Sequence, residues 1–266
     1  MSRPQHAFVV PAYRDSPHLR ECLASLRGQQ SRSPVIVCTS TPYEGLAALC
    51  DEMEARFVCH SPNRGIAHDW NMALGSADAE WVTIAHQDDV YLPDFACRTL
   101  RLIERNPASI LVFTGYSEMD QGGIRALGVS LRIKQILIEL AMLGRESIET
   151  RFARTNLLRF GCPIPCPSVT LRKTSLPQGL AFDQKFRVNL DWDFWLRLAR
   201  ESKGAFACDR KVLMHHRIHP GSETTSGIAD GVRMREDREL FGRVWPAPIA
   251  SLIAKAYALS YRYNQA

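Results

Sequence analysis

The sequence predicts an α/β fold in which a mainly parallel sheet is covered by helices on both faces. Three observations carry that expectation. Short apolar runs alternate with helix-spaced segments from Ala7 to Phe113. Prolines and polar clusters punctuate the ends of those runs. The 266 residues, 45% of them hydrophobic, suffice for one large domain with an appended terminal segment.

The elements follow in order. Ala7–Val10 is a buried strand stopped by Pro11. Ser16 as N-cap and Pro17 at the first helical position open a helix with Leu19, Cys22, Leu23 and Leu26 on one face. Val35–Cys38 is the second strand, Gly45–Ala55 a helix, and Arg56–Cys59 the third strand. Ile66–Leu74 is helical by spacing, Trp81–Ala85 is the fourth strand, Leu92–Arg105 a helix, and Ile110–Phe113 the fifth strand. The second half is less regular. Ile133–Leu143, Glu149–Phe160 and Asn189–Arg200 read as helices, and Gly161–Pro167, with its three prolines, as a loop. After His219 and Pro220 the composition shifts to Gly, Ser and Thr, and a last helix runs from Pro248 to Tyr261.

Composition narrows the function classes. The 33 basic residues exceed the 28 acidic ones by five, which ordinary solvated surface explains, and no nucleic-acid partner is expected. No stretch is polar enough for disorder. Ile136–Leu143 is short and carries Glu139, so it cannot span a bilayer. The N-terminus lacks the apolar run of a signal peptide. Eight cysteines form no CxxC pair, and the Cys162/Cys166 spacing has no second pair or nearby His to complete a zinc site. They read as reduced thiols of a cytoplasmic protein.

Ligands of such sheets bind at the carboxyl ends of the strands. This chain places there Pro11-Ala12-Tyr13, Thr39-Ser40-Thr41, Ser61 to Gly65, and His86-Gln87-Asp88-Asp89. The last cluster is the acidic one. Adjacent Asp88 and Asp89 repel unless a positive group sits near them, and a hard divalent cation fits. The alternative is a solvated turn in which Asp89 caps the following helix.

The context of that pair resembles a known family. Trp81 to Pro93 is similar to the metal-binding turn of inverting family 2 glycosyltransferases with the GT-A fold. The first strand with Pro11-Ala12-Tyr13 resembles that family's first nucleotide-binding loop. Asn63-Arg64-Gly65-Ile66-Ala67, with Asn71, resembles its Asn-x-Gly segment. Asn189-Leu190-Asp191-Trp192-Asp193 to Leu198 resembles its catalytic-base motif, and Arg217-Ile218-His219-Pro220-Gly221-Ser222 its closing Arg-x-His motif. Five loose matches in the family's order are together specific.

The resemblance implies a nucleotide-diphosphate sugar donor, UDP- or dTDP-linked, held by Pro11, Ala12, Tyr13, Thr39, Asn63, Gly65, Asn71, Gln87 and Arg217. It implies Mn²⁺ or Mg²⁺ at Asp88, with Asp89 and His219, and Asp191 as general base, with Asp193 its rival. Asp191 is also placed to cap the Trp192 helix, worth about 1 kcal/mol. Trp192 and Trp195 read as core, with Trp192 an option for the acceptor wall. The implied reaction is sugar transfer with inversion to a glycan or lipid-linked acceptor in bacterial surface polysaccharide assembly. Residues 1–222 would form the transferase domain, 1–116 its donor half and 117–222 its acceptor half, and 223–266 a helical extension.

Three departures keep other readings open. Hydroxyls at Thr39, Ser40 and Thr41 stand where the family has an acidic pair, His86 replaces its first Asp in the metal turn, and Leu190 replaces an acid before the base. They leave base preference and metal dependence undecided, and they motivate a second hypothesis: a GT-A-fold protein that binds nucleotide or glycan without turnover. A nucleotidyltransferase would need a Gly-rich phosphate loop, which Pro11 to Ser16 is not. The last helix carries Ile249, Leu252, Ile253, Ala256 and Leu259 on one face, near Lys255 and Arg262. It is expected to pack on its own domain or on a partner subunit of a homodimer. A membrane surface, at the inner face of the plasma membrane, is the rival reading.

Overall fold

A computed structural model describes residues 4–262 of the chain. The side chains of Leu259 and Arg262, named above, lie outside the described residues, as do positions 263–266 of the extension.

Strands β1 (His6–Ala12), β2 (Val35–Thr39), β3 (Arg56–Cys59) and β4 (Trp81–Ile84) alternate with helices α1 (Leu19–Arg27), α2 (Leu46–Glu52) and α3 (Ile66–Ser76). These strands form a parallel block in the order β3-β2-β1-β4. The chain continues through β5 (Val90–Tyr91), α4 (Phe95–Arg105), β6 (Ser109–Asp120), β7 (Gly123–Ile124), α5 (Val129–Met142), β8 (Ser147–Ile148), α6 (Arg151–Leu158) and β9 (Val169–Arg172). It ends with α7 (Leu190–Glu201), β10 (Ala205–Arg217), α8 (Glu223–Ala229), α9 (Val232–Val244) and α10 (Ala247–Arg262).

Beyond β4 the sheet is mixed. β9 inserts antiparallel between β4 and β6, β10 runs parallel to β6, and β5 closes the edge antiparallel to β10. Strand β1 shows why both faces must be covered. Ala7 and Val9 pack with Trp70, Ala73 and Leu74 of α3, while Phe8, Val10 and Ala12 pack with Leu19, Cys22, Leu23 and Leu26 of α1. A period of two along a strand with both sides apolar leaves no solvated face.

Several boundaries differ from the sequence expectation. The first helix starts at Leu19 rather than Pro17, because Ser16 Oγ accepts from His18 N at 3.3 Å and holds a preceding turn. Strand β10 is hard to see in sequence because Asp209-Arg210-Lys211 interrupt its apolar pattern. They occupy a bulge, where the register against β6 shifts between Asp209 and Val212. Gly115 on β6 makes room for it, since a Cβ there would lie 2.6 Å from the Arg210 carbonyl oxygen. All eight cysteines are free.

The last helix buries a different stripe from the one expected. Ala250 and Ala254 are buried, with Ile253 and Tyr257 packed on the core, whereas Ile249 and Ala256 are exposed and Leu252 is 70% exposed. Small alanines let α10 approach α9 closely, and Tyr257 seats over Gly161, where a Cβ would stand 2.8 Å from its ring. The clearest unpartnered apolar face lies elsewhere. Val129, Ile133, Ile136, Leu140 and Leu143, on and just after α5, are each between 49% and 73% exposed. No helix among the described residues is long and apolar enough to cross a membrane.

Candidate active site

The carboxyl ends of β1, β4, β6 and β10 open onto a cleft of about 520 Å³. Its wall includes Pro11, Tyr13, Asn63, Gly65, Gln87, Asp88, Asp191, Arg217 and His219 from the sequence reading. Ala12, Thr39, Asn71 and Asp89 are not on that wall.

Each of those four has a physical reason for its place. Ala12 points into the core. Thr39 is fully buried, and its Oγ1 accepts from Thr41 N at 3.0 Å, shaping the loop rather than meeting a ligand. Asn71 spends its amide on the Phe182 backbone, donating to the carbonyl at 2.9 Å and accepting from the N–H at 2.8 Å. Asp89 is fully buried, accepting from Arg217 N at 2.8 Å and lying 3.1 Å from His216 Nδ1. It does not cap the following helix, which starts at Phe95 behind Asp94.

Around Asp88 the turn is held from several sides. Its Oδ2 lies 2.8 Å from His219 Nε2, and its carbonyl accepts from Arg217 Nε at 2.8 Å. The other arm of the Arg217 guanidinium meets Glu21 at 2.6 Å, so this arginine braces the turn as well as facing the cleft. Gln87 pins the Tyr13 backbone, accepting from its N–H at 2.9 Å and donating to its carbonyl at 3.2 Å. Asn63 Oδ1 accepts from Gly65 N at 2.8 Å, in a loop where Gly65 takes φ +91°.

The electrostatics are uneven across the turn. Burial by itself would push Asp88 up, but the His219 hydrogen bond and the His86, His216 and His219 rings hold it down to about 2. Burial lowers His86, which favours its neutral form, and its Nε2 is buried without a hydrogen-bond partner beside the Trp70 ring. Burial would lower His216 too, but Asp89 raises it on balance. His86, Asp88 and Asp89 offer donor atoms that all lie within 4.8 Å of one another. The Asp89 carboxylate is taken up by Arg217 and His216, whereas a neutral imidazole and the Asp88 carboxylate are fitting donors for a divalent ion, and the orphaned His86 nitrogen gives that fit a structural basis.

Across the cleft, Asp191 lies in the first turn of α7, behind Asn189 at the N-cap position. Its Oδ1 accepts from Trp192 N at 2.7 Å, and Cys162 Sγ stands 3.9 Å from its Oδ2. Burial raises its pKa, opposed by the Trp192 N–H and by Arg233, His86 and Lys134. Asp193 faces away, fully buried and locked by Arg197 at 2.6 Å and by Arg243. Trp192 and Trp195 are core residues. The Trp192 Nε1–H donates to the Leu158 carbonyl at 2.9 Å, and neither ring reaches the cleft.

The cleft also has walls the motifs did not announce. Lys134 of α5 donates to Tyr116 Oη at 3.1 Å, and Arg187, Arg233 and Tyr257 come from outside the quoted segments. Residues 223–262 therefore complete the cleft rather than trail from it. Asp69 of α3 lines it too, its Oδ2 accepting from Ser40 Oγ at 2.9 Å. A hydroxyl after the second strand thus orients an acid on α3. An acid on the cleft-facing side of an otherwise apolar helix was the available signal.

Known structures share the fold. The structure resembles crystal structures of S. aureus TarS, at a TM-score of 0.62 and 15% identity over 96% of this chain and 43% of that one. A TarS 1-349 complex with UDP-GlcNAc gives a TM-score of 0.66 at 15% identity, covering 96% and 71% of the two chains. The mannosyltransferase PcManGT from Pyrobaculum calidifontis, in complex with GDP-Man and Mn²⁺, gives 0.64 at 16% identity, covering 97% and 70%. At these identities the likeness is one of fold, here the mixed α/β fold of GT-A glycosyltransferases. EpsH of Bacillus subtilis (strain 168), named as a glycosyltransferase, is 27% identical over 106 residues, 38% of this chain and 31% of its own length. The chain therefore spans less than half of that TarS chain and aligns with under a third of EpsH. Residues 7–177, more than half of the sequence, match the family described as Glycosyl transferase family 2, and the chain belongs to that family.

Proposed function

We propose that this chain transfers a sugar from a nucleotide-diphosphate donor, UDP- or dTDP-linked, to a glycan or lipid-linked acceptor with inversion at the anomeric carbon. The observation that carries this reading is the placement of Asp191 and Asp88 on the wall of one cleft. Asp191 takes the proton of the acceptor hydroxyl as that oxygen attacks the anomeric carbon from the face opposite the leaving diphosphate. Its burial keeps it a stronger base than a solvated aspartate.

His86 and Asp88 are the ligands proposed for a divalent cation, Mn²⁺ ahead of Mg²⁺ because one donor is an imidazole. When bound, the cation offsets the charge that grows on the diphosphate. Asp89 and His219 hold Asp88 and its turn in place. Lys134 and Arg233 add positive charge on the Asp191 side.

The acceptor side faces α5. Its outer apolar stripe has exposed Arg132 beside it and exposed Arg145 just past its end, a combination that suits an anionic membrane surface and a lipid-linked acceptor. Assembly of a bacterial surface polysaccharide at the inner face of the plasma membrane is the setting this implies. Donor turnover with Mn²⁺, compared between the wild type and Asp191→Asn, tests the reading. Loss of about 10²-fold or more in the variant, with donor binding kept, supports it. Nucleotide-sugar binding without turnover in the wild type would favour the binding-only alternative.

A further inference from the structure

A second cluster of ligand-type side chains lies at the open edge of the sheet. His60 follows β3, the edge strand, and its N–H donates to the Thr39 carbonyl at 3.0 Å. His68 and Asp69 lie in the first turns of α3. His60 Nε2 is 3.6 Å from Asp69 Oδ1, and His68 Nδ1 is 3.9 Å from the same oxygen. The two imidazole rings stand 5.4 Å apart, and one donor atom from each of the three residues lies within 4.8 Å of the others.

The cluster is buried and unsatisfied. The side chains of His60 and Asp69 are 7% and 8% exposed. Both His60 ring nitrogens, His68 Nδ1 and Asp69 Oδ1 are buried without a hydrogen-bond partner. Three of these atoms, one from each side chain, converge, and that needs an explanation, since buried polar groups are nearly always paired. Asp69 Oδ2 is already fixed by Ser40 Oγ, which aims Oδ1 at the histidines. At 3.6 and 3.9 Å the contacts of His60 Nε2 and His68 Nδ1 with Asp69 Oδ1 are longer than hydrogen bonds and leave all three atoms unsatisfied.

We propose that His60, His68 and Asp69 form a zinc site, separate from the turn at Asp88, that ties the end of β3 to α3. Two imidazoles and a carboxylate are a donor set that favours zinc over magnesium or calcium. Donors around a tetrahedral zinc stand about 3.4 Å apart, given bonds of about 2.0–2.1 Å, so the two contacts to Asp69 Oδ1 close with a few tenths of an ångström and the two imidazoles must draw together by up to about 1.4 Å. A water completes the fourth position. Asp69 lies on the cleft wall, so the ion fixes part of that wall at the sheet edge, where few strands hold it. This inference does not depend on the proposed transfer reaction.

The test uses the untagged chain, stripped with chelator, in the Asp88→Asn background so that the turn at Asp88 does not contribute. Co²⁺ is titrated while the visible d–d bands are followed, Zn²⁺ is then added in competition, and melting is recorded with and without Zn²⁺. One equivalent of Co²⁺ with four-coordinate absorption, displaced by Zn²⁺, and a zinc-dependent rise in Tm are expected. His60→Ala and the more exposed His68→Gln should each weaken zinc at least about 100-fold and remove the Tm rise. Their melting without metal should stay close to that of the parent, showing that they fold. Unchanged affinity in both variants, or no stoichiometric binding in the parent, overturns the proposal.

Discussion

Arg217 donates its backbone N–H to Asp89 Oδ1 at 2.8 Å, and this bond ties the end of β10 to the turn after β4. Adjacent acids in that turn therefore do different work. Asp89 is buried and bound by protein groups, whereas Asp88 stands on the cleft wall with one oxygen on His219.

The two positions should separate in a stability measurement. Asp89→Ala leaves the buried Arg217 N–H and the raised His216 without their acceptor, and a loss of about 1–3 kcal/mol is expected in urea unfolding. Asp88→Asn should cost less than about 1 kcal/mol and instead abolish any response of activity to Mn²⁺. Equal destabilisation by both would contradict this division of roles.

A pH dependence follows from Asp191. Its carboxyl is raised by burial, and the base must be ionised to accept a proton. Activity should therefore fall on the acid side at a pH above the ordinary aspartate range, as the carboxylate protonates. A kcat/KM profile over pH 4–8 reads this directly. An acid limb at the ordinary aspartate value would show that Asp191 is not the titrating base.

His6 gives a separate stability signature. It is buried between Ser33 Oγ and Thr83 Oγ1, each at 2.9 Å, and burial lowers it to about 3 from 6.5. The folded state thus favours the neutral ring. Its contribution is complete above pH 6.5 and declines as pH falls toward 3, because the unfolded chain takes up the proton first. The slope is at most about 1.4 kcal/mol per pH unit. Denaturant unfolding at pH 7, 6, 5 and 4 should show this decline, and His6→Gln should flatten it.

The outer stripe of α5 offers a binding test. Ile133→Glu combined with Leu140→Glu should abolish co-flotation with anionic vesicles while leaving transfer to a water-soluble acceptor near wild type. Flotation unchanged by the pair would move the membrane contact elsewhere, and monomers appearing in place of dimers would point to a subunit interface.

What the sequence revealed followed local signals. Alternating apolar runs placed the parallel strands, and the turn from His86 to Asp89 and the helix start at Asp191 were legible as compact motifs. The burial that separates Asp88 from Asp89 was not, because it depends on Arg217 and His216, more than a hundred residues away. Asn71 and Thr39 fit a nucleotide loop by position, but Thr39 accepts from the Thr41 backbone and Asn71 pairs with the Phe182 backbone, 111 residues away. Strand β10 was hidden by the charged bulge at Asp209 to Lys211. The apolar spacing of α10 misled because its core-facing stripe is built on alanines.

The role of Asp191 is read from transfer followed by NMR with an α-linked UDP-sugar, Mn²⁺ and a glycan or lipid-linked acceptor, for wild type and Asp191→Asn. A β-linked product from the wild type, with turnover falling about 10²-fold or more in Asp191→Asn, is predicted. An α-linked product, or full turnover without Asp191, would show that Asp191 is not the base of an inverting transfer.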